Sequence, residues 1–166
     1  DDAGNIDARV HIQGSTNRLA GGTVLYRAST NLWTSNPENT EAVFELINAR
    51  YIELSDMILE GGNSGVFVNN PFPRSDWNLF RNLEIRDGGY FGIRINSSSD
   101  NILERVLIHR LEGVGVDIFR GASNRVVSSI IWSNRNGGIS SAFSETLITN
   151  SVLHAFGQVT NAALIL

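Results

Sequence analysis

The sequence predicts an all-β fold in which the chain winds as a coil of stacked parallel strands, and three observations carry that expectation. Apolar triplets recur as Met57-Ile58-Leu59, Leu83-Glu84-Ile85, Val106-Leu107-Ile108, Ile130-Ile131-Trp132 and Val152-Leu153-His154, at steps of 26, 23, 24 and 22 residues. A second series, Gly65-Val66-Phe67-Val68, Gly92-Ile93-Arg94-Ile95, Gly115-Val116-Asp117-Ile118 and Gly138-Ile139-Ser140-Ser141, keeps the same frame. Between the two series lie Gly-rich turns: Glu60-Gly61-Gly62, Asp87-Gly88-Gly89, Glu112-Gly113 and Asn136-Gly137-Gly138. A unit of this length buries its apolar side only by stacking on its neighbours, which is the logic of a solenoid.

Each unit offers two short apolar segments, then a polar turn of Ser, Asn and Asp. Runs of four to six residues rich in Val and Ile and bounded by Gly, Ser and Asn read as strands, and no window holds a helical period for ten residues. Alternation places Val106, Ile108, Val116 and Ile118 inside, with Leu107 and Asp117 outside. Glycine in the first turn is expected to supply positive φ for a sharp change of direction. Upstream, Gly22 to Leu25, Phe44 to Leu46 and Tyr51 to Leu54 read as strands of earlier coils. Two long loops interrupt them, Ala28 to Thr40 and Asn69 to Trp77. Leucine-rich repeats share the period, but they use one strand per repeat and a fixed Leu frame.

Composition narrows the chemistry. The 166 residues suffice for one domain with a core, 42% are hydrophobic and 18% charged. The formal charge of -4 includes 13 basic residues, all Arg. No basic field draws in nucleic acid, and Lys chemistry is excluded. Cysteine is absent, which rules out disulfides and thiolate metal sites. No apolar run approaches the roughly 18 residues of a membrane span.

The unit Asn101-Ile102-Leu103-Glu104-Arg105-Val106-Leu107-Ile108-His109, followed by Gly115-Val116-x-Ile118, resembles the right-handed parallel β-helix repeat of pectate-lyase-like proteins. Other polysaccharide lyases, polygalacturonases and phage tail spikes share that repeat. The resemblance covers roughly residues 10 to 157. It implies a single-stranded right-handed parallel β-helix of about five to seven coils. It further implies an extracellular, cell-surface or virion location and a polysaccharide ligand, with calcium as the cofactor some relatives use. The polygalacturonase motifs (Asn-Thr-Asp, Asp-Asp, Gly-His-Gly, Arg-Ile-Lys) do not occur in the repeats. The fold therefore carries over and the activity does not.

Stacking the repeats yields candidate site residues. The position after the first strand reads Glu60, Arg86, His109, Ser133, Ala155, a line able to bind a sugar and move a proton. A second column reads Phe67, Arg94, Asp117, Ser140, with Arg94 and Asp117 expected as a cross-strand pair. Arg86, His109, Arg94 and Asp117 are thus the candidate catalytic residues of a lyase or hydrolase. Glu60, Trp33, Phe72, Trp77 and Tyr90 are the candidate substrate contacts, the rings being suited to stacking on sugar faces or to capping the core. The outward position Ile58, Glu84, Leu107, Ile131, Leu153 is mostly apolar. Such a column calls for a cover, either a flanking segment or a second copy, as in the side-by-side trimers of tail spikes. The apolar run Ala162 to Leu166 suggests that residues 1–166 form one β-helix domain cut from a longer solenoid, or a unit that stacks end to end. The competing expectation is a non-enzymatic solenoid such as a shaft, adhesin or fibre subunit.

Overall fold

A computed structural model describes residues 9–15, 22–28, 41–69 and 75–154, and the backbone of 164–165. All regular structure among these residues is β, so no helix there is long and apolar enough to cross a membrane. The strands form three parallel sheets of six, and the chain visits first, second and third sheet in turn on every circuit. Six coils result, within the expected range.

One circuit shows how the sequence does this. Ile102–Glu104 joins the first sheet, Leu107–His109 the second and Val114–Phe119 the third. The stretch Asn101 to His109, which reads as one apolar segment, is therefore two strands. Arg105 divides them with a left-handed backbone, φ 53°, and its equivalents Asp56, Asn82, Ser128 and Asn150 do the same. Asp and Asn tolerate this region best among residues with a Cβ, and most of the column is Asp, Asn or Ser. A single left-handed residue rotates the chain between sheets without a hydrophobic interruption long enough to mark it in the sequence.

The corner after the second sheet works in the same way, and its glycines supply the expected positive φ only in part. Left-handed geometry falls on Gly61 and Gly62 in the second coil, but on Asp87, Arg110 and Ser133 at the place of Gly61 in the next three, and of the later turn glycines Gly137 alone has a positive φ. Gly113 is required for another reason: a Cβ there would run into the backbone of Tyr90 on the neighbouring rung.

Inside, side chains stack in columns about 4.8 Å apart. Leu54, Phe80, Leu103 and Val126 line the first sheet, Leu59, Ile85, Ile108 and Ile131 the second, and Val66, Ile93, Val116 and Ile139 the third, all buried. Hydrocarbon packed from three sides is the main favourable term. At the corner between the third and first sheets the filling is polar. Fully buried Asn78, Asn101 and Asn124 form a ladder, each amide Nδ2 donating to the next Oδ1 at 3.1 and 3.2 Å. The same oxygens accept from the backbone N–H of Asn78 and Asn101 at 3.0 Å, so the turn's buried amides are paired.

Register corrects the outer columns. Leu107 pairs with Glu84 on one side and with Ile130, not Ile131, on the other. The inward place equivalent to Leu83 and Val106 is taken by Ser129, whose buried Oγ accepts from the Val106 N–H at 3.2 Å. The outward apolar column is accordingly Val24, Ile58, Glu84, Leu107, Ile130, Val152. Its expected members Ile131 and Leu153 face the core instead, because the triplets of the last two coils begin one residue earlier, at Ser129 and Ser151, than apolarity alone suggests.

Candidate functional site

The corrected register brings a different set of side chains together on the outer face of the second sheet. The column read as Glu60, Arg86, His109, Ser133, Ala155 is Tyr26, Glu60, Arg86, His109, Trp132, His154. Ser133 lies in the turn beyond it, and Ala155 lies outside the described residues. Arg86 donates from Nε to Glu60 at 3.1 Å and from Nη1 to Glu84 at 2.9 Å. The same Glu84 Oε1 lies 3.2 Å from His109 Nε2, and the His109 ring stacks on Trp132 with centroids 5.1 Å apart and planes 14° from parallel. A continuous ladder therefore runs from Glu60 to Trp132.

Electrostatics favour the charged forms of Glu84 and Arg86 at the centre of this ladder. Burial pushes the Glu84 carboxyl up, but hydrogen bonds and positive charge from Arg86 and His109 outweigh it and hold the group below its ordinary range. Burial likewise opposes the Arg86 charge, yet Glu60 and Glu84 raise its pKa further. A carboxylate only accepts, so His109 donates from Nε2. Its buried Nδ1 has no hydrogen-bond partner. His109 is 4% exposed, while Trp132 beside it is 37% exposed. At the adjoining corner Arg110 grips Asp87 through Nε and Nη2, at 2.7 and 2.6 Å.

Arg94 and Asp117 lie on the third sheet, so the four candidate catalytic residues form two separate pairs. Arg94 Nε is 3.4 Å from Asp117 Oδ2, near enough for an ion pair but not aligned as a hydrogen bond. The guanidinium also lies over Phe91, 4.5 Å from the ring centroid, and over Phe67 at 5.7 Å. Burial drives the Asp117 carboxyl above its ordinary range, against Arg94 and a hydrogen bond with Ser140. Asp117 is the one carboxyl with a raised pKa among the described residues for which a shift stands out.

The aromatic candidates do not converge. Trp77 packs face to face on Tyr51 at 5.4 Å, with Arg50 over its ring, at the corner joining the third and first sheets. Tyr90 meets Phe91 edge-on, 4.7 Å away. Trp33 and Phe72 lie outside the described residues. Sequence reasoning missed Trp132 and Glu84, and the signal was present: with Ser129 taken as the inward residue, Trp132 falls next to His109. No group of three or more His, Asp and Glu side chains able to hold a metal occurs among the described residues. Asp117, beside Arg94, does not fit calcium either.

A family model described as a right-handed β-helix region matches residues 10–161. The chain belongs to that family. The match covers every strand from Val10–Gln13 to Val152–His154 and gives the winding a right hand, as parallel crossovers of this kind require. No curated protein and no solved structure gives a match.

Proposed function

We propose that this β-helix is an extracellular carbohydrate-binding protein that grips a polysaccharide on the outer face of its second sheet. The observation that supports this best is the Trp132 ring, open to solvent and held rigid by His109, Glu84, Arg86 and Glu60 in succession. A flat ring bordered by fixed hydrogen-bonding groups suits the apolar face and rim hydroxyls of a sugar.

Binding is favoured over cleavage. Glycoside hydrolysis needs two carboxyl groups facing one bond, one of them protonated. Glu60 and Glu84 share Arg86, and Glu84 is held ionised. Asp117, kept more protonated, faces Arg94 and Ser140 rather than a second carboxyl. Elimination with Arg as base would need a free guanidinium, and both Arg86 and Arg94 are ion-paired.

The deciding experiment is affinity electrophoresis on a panel of pectins, alginates, glycosaminoglycans and neutral glycans, with reducing ends and unsaturated uronate measured in parallel. Retardation lost in Trp132→Ala, without turnover, supports the reading. Turnover restores the lyase or hydrolase alternative, and neither retardation nor turnover overturns both.

A second reading has its own observation. Val24, Ile130 and Val152, in the outward column of the same sheet, are 44%, 47% and 53% exposed. Self-association there, as in a shaft, adhesin or fibre subunit, would cover them. Sedimentation showing trimers or filaments that Ile130→Asp dissolves would favour it.

A further inference from the structure

A cleft of about 310 Å³ runs along the corner between the first and second sheets, away from the Trp132 column. Thr23, Asp56, Asn82 and Arg105 line it from four successive coils, with Ser15 at its rim and Met57 and Ile58 supplying an apolar wall. Three steps of about 4.8 Å give it a length of roughly 14 Å along the axis.

Its polar groups are pre-ordered by one another. Gln13 Nε2 donates to Asp56 Oδ2 at 2.8 Å, Asn82 Nδ2 to Asp56 Oδ1 at 3.0 Å, and Arg105 Nε to Asn82 Oδ1 at 2.8 Å. Burial would raise the Asp56 pKa, but hydrogen bonds from Gln13, Asn82 and Ser55 and the charge of Arg81 hold it below its ordinary range. Each group keeps capacity in reserve. Asp56 can accept again, Asn82 has a second N–H, and Thr23, whose Oγ1 accepts from the Ser15 N–H at 2.8 Å, has its hydroxyl hydrogen to give. Arg105 uses Nη1 on Glu104, leaving Nη2 for a ligand.

We infer that this corner cleft is a binding site for a neutral, hydroxyl-rich ligand, a short run of uncharged glycosyl units. Alternating acceptors and donors match vicinal hydroxyls, which both give and take, and the Met57–Ile58 wall matches the C–H face of a sugar ring. One carboxylate and one guanidinium in line leave the cleft near neutrality, so an anionic ligand meets Asp56 and a cation finds a single carboxylate. The inference is independent of the Trp132 face, since the two sites share none of the residues named for binding.

The test is titration of the ¹⁵N-labelled 166-residue chain with neutral tetrasaccharides of glucose, mannose and galactose, and with tetragalacturonate. The expected result is that a neutral tetrasaccharide shifts the side-chain N–H signals of Asn82 and Arg105. Its affinity, read from whichever of those two signals a variant retains, should fall about tenfold in the isosteric Asp56→Asn and in the exposed Arg105→Gln, and stay unchanged in Arg110→Gln at the corner beyond the second sheet. Absence of shifts with all three neutral sugars overturns the site, as does full affinity in both cleft variants. Tighter binding of tetragalacturonate overturns the ligand class. Loss in Trp132→Ala with retention in Arg105→Gln moves the ligand to the second sheet. Should Asp56→Asn fail to fold, Arg105→Gln alone decides.

Discussion

His109 lies flat against Trp132, 5.1 Å between ring centroids, and is tied on its other side to Glu84 at 3.2 Å. An imidazole so held is 4% exposed although its strand position points outward. Trp132 is thus both the most accessible part of the ladder and the lid on its most buried member. Trp132→Ala should weaken folding by about 1 kcal/mol through the lost ring pair. Denaturant midpoints measure that loss, and His109 ring proton shifts, no longer displaced by the indole, report the uncovering.

Glu84 makes the ladder sensitive to acid. Its folded pKa lies below the ordinary value of 4.5. The stability it contributes is therefore present above the unfolded pKa and lost as pH falls through the folded one. Glu84→Gln, which keeps the shape and removes the charge, should flatten this acid limb and cost about 1–2 kcal/mol at neutral pH. Urea midpoints across pH 3 to 7 check it, and parallel curves for both proteins would refute the assignment.

Asp117 has the opposite sign. Its pKa is raised from 3.8, with burial as the first cause. Its favourable contribution is complete below the unfolded pKa and disappears as pH rises through the folded value. In Asp117→Asn that dependence vanishes, so wild type should gain on the variant as pH falls from neutral towards 4. Arg94 keeps its place over Phe91 in the variant, which limits collateral loss. A wild-type advantage that grows instead with rising pH would contradict the raised value.

The repeat and the inward faces were legible because Val106, Ile108, Val116 and Ile118 obey both alternation and period, and all four are buried. The last two coils misled because Ser129 and Ser151 replace hydrocarbon at the inward position, and Ile130 and Val152 beside them are apolar but exposed. Hydropathy marks which residues prefer the interior, whereas hydrogen bonding let Ser129 enter it. The Arg94–Asp117 pair was legible, since the Gly92 and Gly115 series kept true register. The first-to-second-sheet corner was not. Its left-handed residues, Asp56, Asn82 and Arg105, share a conformation rather than a chemistry, so the cleft they line leaves no motif in the sequence.

The Asn ladder gives the most demanding prediction. Asn101 Oδ1 receives both the backbone N–H and the Nδ2 of Asn78, and Asn101 Nδ2 donates to Asn124. Asn101→Ala removes the acceptor and leaves a buried backbone donor of Asn78 with no partner, in a corner without room for bulk water. Losing one neutral hydrogen bond costs about 1 kcal/mol, and stranding a buried donor adds about 1–3 kcal/mol. The expected loss is therefore about 2–4 kcal/mol, well above that of Trp132→Ala at the surface. Asn101→Asp separates the two contributions: it keeps the acceptor for Asn78 but loses the donor to Asn124 and buries a charge beside that residue's Oδ1. Both variants should unfold at lower denaturant than wild type, with amide exchange quickened first at Asn78 in Asn101→Ala and not in Asn101→Asp. Equal protection of the Asn78 amide in the two would mean that the ladder oxygen is not what pairs this turn.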